Sequence, residues 1–106
     1  MRTSTRLAFS RKRYEAKRIG VAFTLHYDDV EFADSCPYCG GEVSWSVGRG
    51  RQRPDSGSFD RIDPSVGYVP ANTTTVCTGC NRQKSNLTPD EWNAVLGVRR
   101  KKGQIN

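Results

Sequence analysis

With 106 residues, 35% of them apolar, and with ten Gly and five Pro, the chain is sized for one domain whose core is too small to be stable unaided. Seventeen Lys and Arg against eleven Asp and Glu leave a formal charge of +6, which points to a polyanionic partner, nucleic acid first. No apolar run approaches the ~20 residues of a membrane span, and residues 1–6 lead into no apolar stretch, so neither a membrane-spanning helix nor secretion is expected.

The charge is unevenly spread. Residues 1–20 carry seven cations and one anion, whereas 21–42 carry five anions and no cation. Residues 5–19 read as a basic helix, with Leu7, Ser10 or Arg11, Tyr14 and Arg18 along one stripe and Gly20 placed to end it. Arg11, Lys12, Arg13 and Lys17 dominate its remaining surface and are candidate phosphate contacts; a merely solvated face is the alternative. Residues 21–25 are β-prone, and 26–33, with Asp28 and Asp29 near the favourable N-terminal end, read as a short acidic helix. His26 is the only histidine in the chain.

Cys36-Pro37-Tyr38-Cys39-Gly40-Gly41 has the spacing of a zinc knuckle, with Pro37 fixing the turn and the glycines letting backbone amides approach the thiolates. Residues 42–47 alternate, which puts Val43, Trp45 and Val47 on one face of a half-buried strand. Residues 48–57 form a loop rich in Gly, Pro and Ser, whose Arg49, Arg51 and Arg53 are further candidates for a nucleic-acid contact. Two strands follow, at 58–62 and 73–76, and a helix is expected to start at 81–85. Thr88 is an N-cap with Pro89 at N1; Glu91 closes a capping box and Leu87 can staple onto Trp92. Gly97 is expected to stop that helix before a basic tail.

Two Cys-x-x-Cys pairs suit one tetrahedral ion. Two disulfides are the alternative, and the expected reducing compartment favours zinc. Thirty-seven residues lie between Cys39 and Cys77, more than a simple zinc ribbon needs by the size of a hairpin. Four thiolates leave no coordination position for water, so the zinc is read as structural and any chemistry has to lie elsewhere.

The order Cys-x-x-Cys, Asp60 on a strand, Asn72 in the following loop, then Cys77-x-x-Cys80-Asn81-x-x-Lys84 resembles the HNH endonucleases of the ββα-metal (His-Me finger) class. Within that class the chain looks most like small phage-encoded members with an Asp-Arg-Ile-Asp…Gly-Tyr…Asn…Cys-Asn-x-x-Lys core; the four cysteines also resemble those of phage recombination endonucleases that cut branched DNA. The resemblance implies an α+β fold: a zinc-stapled ββα-metal core at 36–86 inside a single domain of 1–106. Around it stand a basic helical arm at 1–20, a C-terminal helix at 88–97 and a basic tail at 98–106.

Carried over, the likeness implies that Cys36, Cys39, Cys77 and Cys80 hold zinc, that Asp60 and Asn81 hold Mg²⁺ or Mn²⁺, and that Asn72 braces the loop. Arg82 and Lys84 join the candidate DNA contacts. Arg61 stands where most members carry a histidine general base. A guanidinium does not give up its proton near neutrality, but it can grip a phosphate in a bidentate fork. Asp63, Tyr68, His26 and solvent are then the candidates for activating water. The implied activity is metal-dependent hydrolysis of DNA phosphodiesters, in the cytoplasm of a bacterial host if the chain is phage-encoded. A degenerate nucleic-acid-binding module is one alternative; an accessory subunit of a phage terminase or recombination machine is another. Purely structural roles also stand for Asp60, as an ion-pair partner of an arginine, and for Asn81, as a helix cap.

Overall fold

In the computed structural model, which describes residues 3–45 and 53–101, a helix α1 (Thr3–Ile19) leads through an irregular stretch into an antiparallel hairpin, β1 (Gly57–Arg61) and β2 (Thr73–Cys77). Two helices follow, α2 (Thr78–Lys84) and α3 (Pro89–Lys101). The architecture is α+β, a ββα unit with a helix at each end. None of the described helices is long and apolar enough to cross a membrane.

Helix α1 buries a stripe different from the one its sequence suggested. Thr5, Phe9 and Ala16 are buried, with Lys12 half-buried between them, a spacing of four, three and four residues that keeps one side of a 3.6-residue helix inward. Tyr14 (70% exposed) and Ile19 (52%) face out. Phe9 decides the matter: its ring meets Phe23, Tyr27 and Phe59 at centroid distances of 5.4, 5.7 and 6.4 Å. The helix ends as expected at Gly20 (φ +79°), in a Schellman motif in which the N–H groups of Gly20 and Val21 bind the carbonyls of Lys17 and Ala16.

The acidic segment is not a helix beyond the single 3₁₀ turn Tyr27–Asp29. Its backbone is claimed from the side by β2: the Thr75 hydroxyl donates to the Glu31 carbonyl (2.7 Å) and accepts from the Ala33 N–H (3.0 Å). Phe32 meanwhile inserts between Trp45 and Phe59, at 5.0 and 5.9 Å. Long-range packing overrides the local preference. In the next predicted strand Val43 and Trp45 are buried, but pairing is limited to bridges at Glu42 and Ser44; Val47, with Arg49 and Arg51, lies outside the described residues.

The hairpin pairs Gly57 with Cys77 and Arg61 with Thr73. Gly57 lies under the Trp45 indole, where a Cβ would come within 2.4 Å of the ring, so no other residue fits there without moving the tryptophan. Helix α2 starts at Thr78, three residues earlier than expected. Cys77 is its N-cap, and the Thr78 and Gly79 N–H groups, left over at the helix start, bind the Ser56 and Pro54 carbonyls. Asn81 is therefore inside the helix and is not a cap. The capping box of α3 is present, with Glu91 Oε1 accepting from the Thr88 N–H (2.8 Å) and Thr88 Oγ1 from the Glu91 N–H (3.2 Å). Gly97 does not stop this helix, which continues to Lys101; nothing packs within 4 Å of where its Cβ would stand.

Candidate active site

The four cysteine sulfurs converge. All lie within 4.8 Å of one another, and the Sγ atoms of Cys39 and Cys77 are 3.8 Å apart. A tetrahedron with metal–sulfur bonds of about 2.3 Å has edges of about 3.8 Å, so the cluster has the dimensions of a zinc site. A disulfide would need about 2.05 Å, and all four thiols are free. The knuckle is built by its glycines. Gly40 sits at φ +77°, and the Gly41 N–H donates to Cys39 Sγ (3.4 Å), an approach on which a Cβ would crowd the sulfur at 3.3 Å. In the second knuckle the Cys80 N–H donates to Cys77 Sγ (3.4 Å). Burial pushes the Cys77 and Cys80 thiols up, whereas in Cys36 burial is outweighed by hydrogen bonds from the backbone of Cys77, Cys39 and Tyr38. Without a cation these thiols are not all ionised; a bound divalent ion would hold them as thiolates.

On the hairpin, Ser58 and Asp60 point to one side of β1 and Phe59 to the other, into the aromatic core. Helix α2 lies along the Ser58–Asp60 side. Asn81 and Lys84, three residues apart and so on one helix face, contact successive positions on it. Asn81 donates from Nδ2 to Ser58 Oγ (2.7 Å) and to the Phe59 carbonyl (3.3 Å), and among the described residues its Oδ1 accepts no hydrogen bond. Lys84 Nζ lies 3.2 Å from Asp60 Oδ1 and donates to the Arg61 carbonyl at 2.9 Å. Asp60 and Asn81 therefore share one strand–helix interface.

Asp60 is held on both oxygens. The Tyr38 hydroxyl donates to its Oδ2 at 2.5 Å, and Lys84 pairs with its Oδ1. At 3% exposure, burial raises the carboxyl above its usual range, against the lowering effects of the Tyr38 hydrogen bond and the Lys84 charge. Burial, followed by the hydrogen bond to Asp60, pushes the Tyr38 hydroxyl far up, so it is a fixed proton donor. Sequence reasoning missed Tyr38 because the metal motif around it already accounted for its place. The available signal was its position inside a knuckle tied by Cys39 to Cys77, at the end of the strand paired with β1.

The remaining predicted residues are less uniform. Arg61 follows Asp60 but, by strand alternation, turns to the opposite side, its guanidinium carbon 5.3 Å from the centre of the Tyr68 ring. Asn72 is buried and ties the loop: its Oδ1 accepts from the Asp63 N–H (2.9 Å), and its Nδ2 faces the carbonyls of Asp63, Val66 and Gly67. Asp63 accepts from the backbone and hydroxyl of Ser65, which hold its carboxyl below the usual range, a poor match to a general base. His26 is exposed and its backbone N–H binds Asp29; no described contact joins it to Asp60. Lys84, expected on a DNA-facing surface, is instead 1% exposed and locked to Asp60. Arg11, Arg13, Lys17, Arg53 and Arg82 are exposed, and Lys12 is half-buried.

No family model matches the chain, and no curated protein matches it by sequence. Among solved structures it is similar to PacI, a rare-cutting HNH restriction endonuclease described for its mechanism of DNA perturbation, with 25% identity over 96% of this chain and 82% of that one, at a TM-score of 0.65. Fold, four-cysteine cluster and structural neighbour agree: the chain has the architecture of an HNH endonuclease of the ββα-metal class.

Proposed function

We propose that the chain is a divalent-metal-dependent endonuclease that hydrolyses DNA phosphodiester bonds, its four-cysteine zinc site structural. The observation that carries this is the pairing of the Ser58–Asp60 side of β1 with the Asn81–Lys84 face of α2, which brings the Asp60 carboxylate and the Asn81 side chain to one strand–helix interface. Both are hard oxygen donors of the kind Mg²⁺ and Mn²⁺ take, and both belong to a fold shared with an HNH restriction endonuclease. Such an ion supplies positive charge for the phosphate and the leaving oxygen.

The protein's own groups divide the remaining tasks. Tyr38 and Lys84 fix the rotamer of Asp60. Asn72 keeps the loop after Arg61 in one shape. Arg61 binds a phosphate oxygen and offsets its charge. Tyr38 and Lys84, the groups that touch Asp60, are both committed to it, so the proton of the attacking water passes to solvent or to a substrate phosphate oxygen. A phage setting, in a bacterial cytoplasm, is the context the family resemblance suggests.

One observation favours a second reading, a binding module that has lost catalysis. Lys84 and Tyr38 already occupy both Asp60 oxygens, so an ion has to share or displace them. Plasmid nicking in Mg²⁺, Mn²⁺ and EDTA separates the two. The nuclease reading expects nicking that needs metal and is abolished in Asp60→Ala and Asn81→Ala. Salt-dependent binding with no cut in any metal would support the binding module.

A further inference from the structure

Tyr68 carries two cations from different parts of the fold. Lys12 Nζ of α1 lies 5.7 Å from its ring centre and the Arg61 guanidinium carbon 5.3 Å, both within the ~6 Å range of a cation–π contact. The ring is immobilised. Tyr68 is 7% exposed and packs on Phe23 at 5.8 Å. Its backbone N–H binds the Ala22 carbonyl (2.8 Å) and its carbonyl accepts from the Thr24 N–H (3.0 Å), a parallel bridge that Gly67 permits by lying where a Cβ would come within 2.7 Å of the Ala22 oxygen. The Tyr68 hydroxyl makes no hydrogen bond among the described residues, so the ring is what holds the cations.

We propose that Tyr68 is a positioning residue: its ring is a shelf that sets the Arg61 guanidinium and the Lys12 ammonium as one clamp on neighbouring phosphates of a DNA strand. The two charges lie at most about 11 Å apart, a span that takes in two neighbouring phosphates of one strand. Without the ring, β1 and α1 would present two independent, mobile side chains. With it, the basic arm is registered to the strand end that carries Asp60 and Arg61. Glu15, 3.2 Å from Lys12, holds the ammonium in the free protein and gives it up to phosphate, since a partly solvated pair at i, i+3 on a helix contributes little. The inference rests on DNA being the substrate of the proposed nuclease.

The test is a binding cycle without added Mg²⁺ or Mn²⁺, so that cleavage plays no part and the zinc stays bound: a short labelled DNA duplex titrated at several salt concentrations with the wild type, Lys12→Ala, Tyr68→Leu, Tyr68→Phe and the Lys12→Ala/Tyr68→Leu double variant. Tyr68→Leu is expected to lose up to about tenfold in affinity and to flatten the salt slope by about 0.9 for each phosphate that is no longer neutralised. Tyr68→Phe should stay within about twofold of wild type, since the ring is kept. Lys12→Ala should matter in the wild type and hardly at all in the Tyr68→Leu background. Equal Lys12→Ala effects in both backgrounds, or Tyr68→Phe as weak as Tyr68→Leu, would overturn the clamp. If Tyr68→Leu shows no cooperative unfolding transition, fluorinated phenylalanines at position 68 take its place: affinity should fall as fluorination weakens the ring's field, and no change would overturn the proposal. A wild type that binds but nicks in no metal would sink the nuclease reading, while the cycle still decides the clamp.

Discussion

The buried Lys84–Asp60 pair gives the sharpest perturbation. The two charged atoms are 3.2 Å apart at side-chain exposures of 1% and 4%, so water screens them little. At an effective dielectric of about 20 their attraction is about 5 kcal/mol, and removing one partner of such a pair costs about 3–5 kcal/mol because the other charge is left buried alone. Lys84→Met keeps the packing volume and deletes the charge. Without added Mg²⁺ or Mn²⁺ and with zinc in place, its urea midpoint should fall by the equivalent of about 3–5 kcal/mol, a large part of the ~5–15 kcal/mol that holds a domain of this size together. Because the freed carboxylate oxygen then becomes a better ligand, Mn²⁺ at about 100 times its dissociation constant should restore about 2.7 kcal/mol. Equilibrium urea unfolding with and without Mn²⁺ measures both. A loss below about 1 kcal/mol without added metal, or a loss that Mn²⁺ does not repair, would refute the reasoning.

Three further outcomes are expected. Stripping zinc with a strong chelator under reducing conditions, or replacing Cys77 by Ser, should abolish cooperative unfolding, because a structural zinc contributes about 10–16 kcal/mol and exceeds the rest of the fold's stability; far-UV circular dichroism and metal analysis check it, and a native melt in the stripped protein contradicts it. Asn72→Ala should cost about 2–3 kcal/mol in urea unfolding, since it leaves the Asp63 N–H and three carbonyls without their partner, and an unchanged midpoint would contradict that. The third concerns pH. Burial raises the Asp60 pKa on folding, so in the metal-free protein the stability from its proton is fully present below the ordinary carboxylate value and is lost as pH rises through the raised one. Ion binding needs the carboxylate, so metal-dependent nicking should fall as pH drops through that raised value. Lys84→Met should move the fall to higher pH, and a profile that stays put would contradict the assignment.

The sequence made the chemistry more legible than the helix faces. Cysteine spacing, the strand carrying Asp60, the returning strand into Cys77 and the Thr88–Glu91 capping box are local or motif-level signals, and each has its element in the structure. What failed was set by distant partners. Residues 26–33 look helical in isolation, but Thr75 of β2 takes two of their backbone groups, and a sequence window does not contain that contact. The α1 face was misjudged because its cationic residues obscured Phe9, whose aromatic neighbours come from three other segments. In sequence Lys84 reads as a DNA contact on the surface, since nothing local shows that an α2 lysine reaches the Asp60 carboxylate across the hairpin. Tyr38 is masked by the metal motif that contains it, and its partner lies 22 residues away.

The central claim is that Asp60 and Asn81 share one divalent ion. A crystal soaked in Mn²⁺ and measured at the manganese edge tests it directly. The account predicts an anomalous peak within coordination distance of an Asp60 carboxylate oxygen and of Asn81 Oδ1. A manganese site elsewhere, with Lys84 and Tyr38 still closed over Asp60, would contradict it.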